Sequence, residues 1–222
     1  IPRQIERMSD RDIPDVESVT RPPRRTLRYD LIDTGDTPIG RGGQAVVYEG
    51  AIADGEPPER IALKEPPHSG TLTGETIDQF LDEARRWETV DSRERSKHRW
   101  ADSEHIVGVV DTGEEFPWIA IEYMDGGSLE EKLDAIDGGL PLEQALWIGE
   151  CLCQGLAVAH AYGIVHLDLK PANVLFRETE SDTWDLPKIG DWGLSRVLSE
   201  QTGTMDGLSV TYAAPEQFES DE

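Results

Sequence analysis

Apolar positions along this 222-residue chain follow two different periods. Between Leu27 and Pro66, short apolar runs alternate with polar breakers. RYDLIDTGDTPIGRGGQAVVYEGAIADGEPPERIALKEP predicts strand, Gly-rich turn, strand, polar turn (DGEPPER) and strand. From about Thr73 to Val90 the period lengthens. Phe80, Leu81, Ala84 and Trp87 recur at helical spacing, with Gly70 and Gly74 just ahead of the run. The charged stretch VDSRERSKHRWADSE reads as exposed. HIVGVVDTGEEFPWIAIEYM then reads as a two-stranded hairpin with GEEFP as its turn. Gly126 and Gly127 interrupt the pattern, and Ser128 is placed to cap a short helix through Leu133. The longest helical segment runs from Pro141 to Tyr162. Leu142, Ala145, Leu146, Gly149, Leu152, Leu156 and Ala159 form its small and apolar face, and Gly163 stands as its C-cap. Short alternating runs follow in IVHLDL, NVLF and PKIGDWG.

No internal repeat is visible. Residues 1–26 are rich in Asp, Arg and Pro, show no sustained period, and read as a linker or tail. The remainder divides into a strand-rich part, 27–124, and a helix-and-loop part, 125–222. That order predicts an α+β fold with two unequal lobes.

Composition narrows the picture. Hydrophobic residues make up 37% of the chain, enough for a core. No apolar run approaches the ~18 residues that a membrane helix needs. The opening IPRQIERMSD lacks the apolar centre of a secretory signal, so a cytoplasmic location without membrane contact is the expectation. A start without Met suggests a piece of a longer protein. Forty-five acidic residues face 21 basic ones, a formal net charge of −24, so nucleic acid and anionic membranes are excluded as partners. The acids are interspersed with periodic apolar segments, which argues against a disordered acidic chain. A salt-rich cytoplasm accounts for them better, since at 1 M salt the Debye length is only ~3 Å. With Arg far outnumbering Lys, the expectation is a halophile, an archaeal one. Cys151 and Cys153 lie two apart in a helical pattern and so point to different faces. This favours buried free thiols in a reducing compartment over a shared metal site.

Five segments carry candidate chemistry. Gly40-Arg41-Gly42-Gly43-Gln44-Ala45-Val46-Val47 lies between two strands, and glycines let backbone N–H groups approach phosphate oxygens. By itself this is also ordinary hairpin-turn chemistry. Lys64 in IALK, one of only five lysines, can pair with the α- and β-phosphates of a nucleotide, although strand lysines commonly face solvent. Glu83 in FLDEARRW is its candidate acidic partner. His166-Leu167-Asp168-Leu169-Lys170-Pro171-Ala172-Asn173-Val174-Leu175-Phe176 is far more specific. A carboxylate can orient a hydroxyl and accept its proton, a Lys two residues on can neutralise a transferring phosphoryl group, and an Asn carbonyl suits a hard cation. Asp191-Trp192-Gly193 follows an apolar strand, where a carboxylate can hold Mg²⁺. Ala214-Pro215-Glu216 closes a Ser/Thr-rich segment.

Taken in this order and spacing, from roughly Leu27 to the C-terminus, the set resembles the eukaryotic-type (Hanks-type) protein kinase family. The resemblance implies a bilobal kinase fold, ATP and Mg²⁺, and transfer of the γ-phosphoryl group to protein hydroxyls. It implies that Ile39, Gly40, Arg41, Gly42, Gly43 and Val47 cover the nucleotide, with Ala45 where the family has its third loop glycine. Ala62 and Leu175 would sandwich the adenine. Ile121 would be the gatekeeper, Glu122 and Met124 would offer hinge backbone hydrogen bonds, and Ser128 would meet the ribose. Lys64 would pair with Glu83. Asp168 would be the base, Lys170 the phosphoryl clamp, and Asn173 and Asp191 the Mg²⁺ ligands. Trp87, Val109, His166 and Trp192 match the side chains that the family stacks when active. Lys170, together with Thr211 as its expected contact, implies Ser or Thr as acceptor.

Two substitutions and the ending depart from the family. Leu167 stands where an Arg usually binds an activation-segment phosphate, so activity is expected to depend less on phosphorylation of Ser195, Ser199, Thr202, Thr204 or Ser209. Trp192 replaces the usual Phe and brings an N–H that needs a partner when buried. After Glu216 only QFESDE remains, which reads as a truncated C-terminal lobe, with the apolar face of the Pro141–Tyr162 helix partly exposed. The alternative functions are a pseudokinase that binds nucleotide without transfer and a small-molecule phosphotransferase. Thr211 to Glu216 argue against the latter.

Overall fold

The computed structural model describes residues 12–16, 19, 21–42, 45–67, 73–96, 103–114, 116–180, 182–193, 195–197, 209 and 211–217. Gly43, Gly70, Ser199, Thr202 and Thr204, all singled out above, lie outside them. The fold is α+β, with a sheet and one long helix in its first half and two helices with short strand pairs in its second.

The first half is an antiparallel sheet in the order β1-β3-β4-β6-β5, with β2 beside β3. Its strands are β1 (Ile32–Thr34), β2 (Gly40–Arg41), β3 (Val46–Ile52), β4 (Arg60–Glu65), β5 (Val109–Gly113) and β6 (Trp118–Glu122). The first expected strand is therefore two short ones. Both faces of the sheet centre are covered, and the strand period of two shares out the side chains. Ala62, Val109, Ile119 and Ile121 enter one apolar cluster, with Trp87 and Trp192. Ile61, Leu63, Val110, Trp118 and Ala120 enter another, with Leu27 and Ile52. Burial on both sides is why IALK reads as a continuous apolar run rather than an alternation.

Helix α1 (Gly74–Arg95) starts at Thr73, whose hydroxyl accepts the Thr76 N–H at 3.2 Å. Phe80, Glu83, Ala84, Trp87, Val90, Asp91 and Glu94 make its buried face. The helix runs more than a turn past Val90, where the expected exposed stretch begins, because Asp91 and Glu94 continue that face as buried acids.

Helix α2 (Leu129–Asp134) carries the capping box expected of Ser128. Ser128 Oγ accepts the Glu131 N–H at 3.2 Å, and Glu131 Oε2 accepts the Ser128 N–H at 2.8 Å. Helix α3 (Leu142–Ala161) follows, then β7 (Ile164–Val165), β8 (Val174–Arg177), β9 (Leu186–Ile189) and β10 (Arg196–Val197). β7 pairs with β10, and β8 with β9.

Three expectations are corrected here. The buried face of α3 is Trp147, Ile148, Cys151, Gly155, Val158 and Ala159, while Leu142 and Leu146 are 70% and 65% exposed. Both sides of this helix are apolar, so the period alone could not choose the inward one. Gly155 decides it locally: a Cβ there would stand 3.0 Å from the His105 carbonyl, so α3 approaches the 103–108 loop backbone closely. Cys151 is buried and Cys153 exposed, so only the first is a core thiol. Third, several described residues of the expected tail pack on the domain: Asp12 bridges to Thr183, Val16 and Val19 cover Trp147 and Trp184, and Arg21 is buried beside α1.

Candidate active site

The candidate site is built from the sheet register outward. Gly40 faces Val47 across β2 and β3, Val47 faces Lys64 across β3 and β4, and Lys64 faces Ile119 across β4 and β6. One line thus runs from the Gly-rich loop to the lysine. The Ile39 N–H donates to the Val47 carbonyl at 2.8 Å, and the Gly42 N–H to that of Ala45 at 2.9 Å, closing the loop base. Ile39, Arg41 and Gly42 are exposed there, and Gly43 lies outside the described residues.

Lys64 is only 7% exposed, which removes the solvent-facing reading of this strand lysine. Its ammonium pairs with Glu83 and donates to Asp191 Oδ1 at 2.7 Å. Burial disfavours the ammonium, yet Asp191 and Glu83 outweigh it and hold the lysine above its ordinary pKa. In return, the Lys64 charge holds Asp191 below the ordinary carboxylate range. Trp87, one turn along α1 from Glu83, lies with its ring centroid 5.9 Å from Lys64 Nζ and donates its indole N–H to the Val107 carbonyl at 2.8 Å.

Val47, Ala62, Ile121, Met124 and Leu175 share one apolar cluster, a wall suited to a flat heteroaromatic ring. Leu175 is brought there by a bridge to Ser128. Glu122 differs from expectation in one respect. Its N–H is already given to the Gly108 carbonyl at 2.8 Å, so a hinge bond from Glu122 has to come from its carbonyl. Its side chain is buried on Lys188, with both oxygens within 3.0 Å of Nζ.

The second half supplies the candidate acid–base groups. Asp168 Oδ2 accepts from Lys170 Nζ at 2.7 Å, and Asn173 Nδ2 donates to the Asp168 carbonyl at 2.8 Å. His166 is the hub beneath them. Its Nδ1 accepts the Asp168 N–H at 3.3 Å, which leaves Nε2–H to donate to the Gly190 carbonyl at 3.0 Å. Burial lowers its pKa, so the ring is neutral and this tautomer is consistent. The Gly190 N–H in turn donates to the Asn173 carbonyl at 2.9 Å, which sets Asn173 beside the start of the Asp191 turn. Leu167 and Asp191 both adopt positive φ, 65° and 56°, a conformation uncommon for a leucine and held here by this network.

Trp192 is fully buried against His166, ring centroids 4.7 Å apart, and shares its cluster with Trp87 and Val109. Its indole N–H has no hydrogen-bond partner among the described residues. Of the four expected stacking residues, His166 and Trp192 are in contact and Trp87, Val109 and Trp192 share one cluster, and the foreseen difficulty with a buried Trp is present.

Ser209, not Thr211, is the residue on the lysine: Lys170 Nζ donates to Ser209 Oγ at 2.7 Å, while Thr211 is exposed in a turn. Gln217 adds a tie that the motifs did not suggest, donating to the Leu167 carbonyl at 2.8 Å. Ser195 is 1% exposed, donates to the Trp192 carbonyl at 2.6 Å and accepts from Arg86 at 3.2 Å, so it is not presented for modification in this conformation. Among the described residues no three His, Cys, Asp or Glu side chains converge as a metal cluster. The donor set nevertheless fits Mg²⁺, which takes one or two protein oxygens and completes its shell with phosphate and water. Asp191 remains a carboxylate, and with Nδ2 of Asn173 engaged by Asp168, its amide oxygen is the atom left to offer.

A family model described as protein kinase domain matches residues 34–222. The chain is 30% identical over 208 residues to the serine/threonine-protein kinase AfsK of Streptomyces griseus, covering 91% of this chain and 23% of that protein. It is 35% identical over 126 residues to the serine/threonine-protein kinase PknB of Mycobacterium leprae, covering 52% and 19%. With PknL of Mycobacterium tuberculosis it shares 28% over 207 residues, covering 91% and 47%. The chain therefore spans less than half the length of these relatives. With Lys64 buried on Glu83 and Asp191, the Asp168 loop tied through His166 to Gly190, and that match running from Thr34 onward, this chain belongs to the protein kinase domain family.

Proposed function

We propose that the protein is an ATP- and Mg²⁺-dependent serine/threonine protein kinase acting in the cytoplasm on protein substrates. The observation that carries this reading is the bridge of Lys64 to both Glu83 and Asp191, which joins the sheet, α1 and the Asp191 turn in one closed arrangement. Relatives bearing the serine/threonine-protein kinase name support the substrate class.

Each group has a role that its surroundings support. Lys64, held charged, meets the α- and β-phosphates, and the Gly40–Gly43 loop covers them with backbone N–H groups. Val47, Ala62, Met124 and Leu175 flank the base. Asp191 and Asn173 would hold Mg²⁺, which when bound would supply positive charge to the phosphates. Asp168 orients the acceptor hydroxyl and takes its proton. Lys170, held between Asp168 and Ser209, presents its charge where the phosphoryl group passes. Catalysis on this plan is positioning and electrostatics. Leu167 offers no guanidinium to an activation-segment phosphate, so activity does not require phosphorylation at Thr202 or Thr204.

The test is transfer from labelled ATP with Mg²⁺ to the full-length protein itself and to a basic protein acceptor, in molar KCl, against Asp168→Asn. Phosphoserine or phosphothreonine that disappears in Asp168→Asn supports the reading. Nucleotide binding that Lys64→Ala weakens, with no transfer, replaces it with a pseudokinase.

A further inference from the structure

The described residues ahead of β1 lie along the domain and are fastened at Asp12 and again at Arg25 and Leu27. Asp12 gives its N–H to the Asp182 carbonyl and accepts that of Trp184, both at 3.0 Å. Val16 and Val19 then lie on the cluster of Trp147, Trp184 and Phe176, in the second half of the fold. Further on, the Arg25 N–H donates to the Val110 carbonyl at 3.1 Å, and Leu27 is buried against the sheet. Between these fastenings Arg21 is inserted beside α1, its side chain only 4% exposed.

Three carboxylates surround that guanidinium. Asp91 Oδ1 lies 2.9 Å from Nη1, Glu104 Oε2 lies 3.0 Å from Nε, and Glu94 meets Nη2. Asp91 and Glu94 are fully buried on α1. Arg24 and Arg95 also reach Asp91, at 3.1 and 2.8 Å, and Arg95 donates to the Pro22 carbonyl at 2.9 Å. The seat is shaped to the arginine stem, since a Cβ on Gly108 would stand 2.9 Å from Arg21 Cγ. Removing the guanidinium would leave buried like charges short of countercharge at the end of the helix, and they would favour moving apart or toward water.

A single stiff helix links this clamp to the cleft. Glu83 sits about 12 Å before Asp91 at 1.5 Å rise per residue, with Trp87 midway. The orientation that buries Asp91 and Glu94 on Arg21 is the one in which Trp87 reaches Val107 and Glu83 reaches Lys64. We propose that Arg21 is a positioning residue for phosphoryl transfer: its clamp on Asp91 and Glu94 holds α1 where Glu83 meets Lys64. The proposal rests on the kinase reading for its consequence and on the helix geometry for its cause.

The experiment compares full-length wild type, Arg21→Ala, Arg21→Lys and Arg28→Ala, the last an exposed residue of the same segment. Rates and ATP KM are measured at a temperature where melting curves show each variant folded, and hydrogen exchange of the Trp87 indole N–H is followed by NMR. Arg21→Ala is expected to lower kcat at least about tenfold and to speed Trp87 indole exchange by a similar factor. Arg21→Lys recovers part of both, and Arg28→Ala matches wild type. An Arg21→Ala protein that melts earlier but keeps wild-type kcat and Trp87 protection overturns the proposal, leaving Arg21 as a brace only. Should Arg21→Ala not fold, Gly108→Ala, which crowds the arginine stem and keeps its charge, is judged by the same two readouts. A wild type without transfer sinks the kinase reading instead. The clamp then stands or falls on Trp87 protection and on whether Arg21→Ala weakens Mg·ATP binding.

Discussion

Lys64 and Lys188 are both buried against glutamates, yet the two sites are built on different terms. Lys188 is sealed: it is 0% exposed, binds both oxygens of Glu122, and Glu122 also accepts the Gly108 N–H at 3.1 Å. Every charge there is satisfied from within the protein. Lys64 is buried on Glu83, but its second partner, Asp191, keeps 48% of its side chain exposed. A buried ion pair that is internally saturated holds the scaffold, whereas one left partly open has capacity for a ligand. The difference separates two lysines that are otherwise alike in residue type, in strand location and in partner.

The sharpest way to break this comparison is to remove each lysine in turn. Lys188→Met strands Glu122 in the interior and should cost about 3–5 kcal/mol of stability by chemical denaturation. Adding Glu122→Leu should recover most of that loss, since no charge is then left unpaired. Lys64→Met should act in the opposite sense. Transfer falls by about 100- to 1000-fold, the size of losing one preorganised electrostatic contact, while the melting temperature changes less than in Lys188→Met. Burial already raises Glu83 above the ordinary glutamate value and lets it take up a proton once Lys64 is gone. Equal stability losses at the two positions would show that the open pair is scaffold as well.

Acid sharpens the contrast with a smaller effect. Burial alone would raise Glu122, but Lys188 and the Gly108 N–H outweigh it and leave the group below the ordinary glutamate value of 4.5. A carboxylate lowered by folding contributes stability that is complete above its unfolded pKa and lost as pH falls through the folded one. Stability should therefore decline as pH drops below 4.5, and the Lys188→Met/Glu122→Leu protein should show a shallower slope there. Asp191 is shifted the same way, but its half-exposed side chain makes the corresponding change in Asp191→Asn smaller. The smallest expected effect lies at Lys170. Ser209→Ala should lower kcat about fivefold, one hydrogen bond of ~1 kcal/mol, and Thr211→Ala should leave it near wild type. The reverse order would restore Thr211 as the functional contact.

Much of this arrangement was legible before any coordinates. The Asp168, Lys170 and Asn173 spacing, Lys64 on its strand and Glu83 on its helix are local patterns tied to chemistry, and the structure pairs Lys64 with Glu83 and Asp168 with Lys170 and Asn173. Lys188 carried a weaker signal that went unused, a charge inside the apolar run LPKI just before Asp191. Arg21 carried none, for it sits among other arginines and prolines in a stretch without period. The α3 error has a plain cause as well. Leu142 and Leu146 are as apolar as Ile148 and Val158, and periodicity yields a stripe without saying which stripe faces inward.

The sequence by itself determined the α+β class, most of the order of elements and which residues are candidates for phosphoryl transfer, because each is encoded within a few turns or one strand. Only the tertiary structure decided which charges meet. Arg21 and Asp91 are 70 positions apart, Lys188 and Glu122 are 66, and Lys170 and Ser209 are 39. Contacts at such separation leave no period in the chain. They form because a buried charge needs a partner, and which partner reaches it is set by how the helix, sheet and preceding segment close around it.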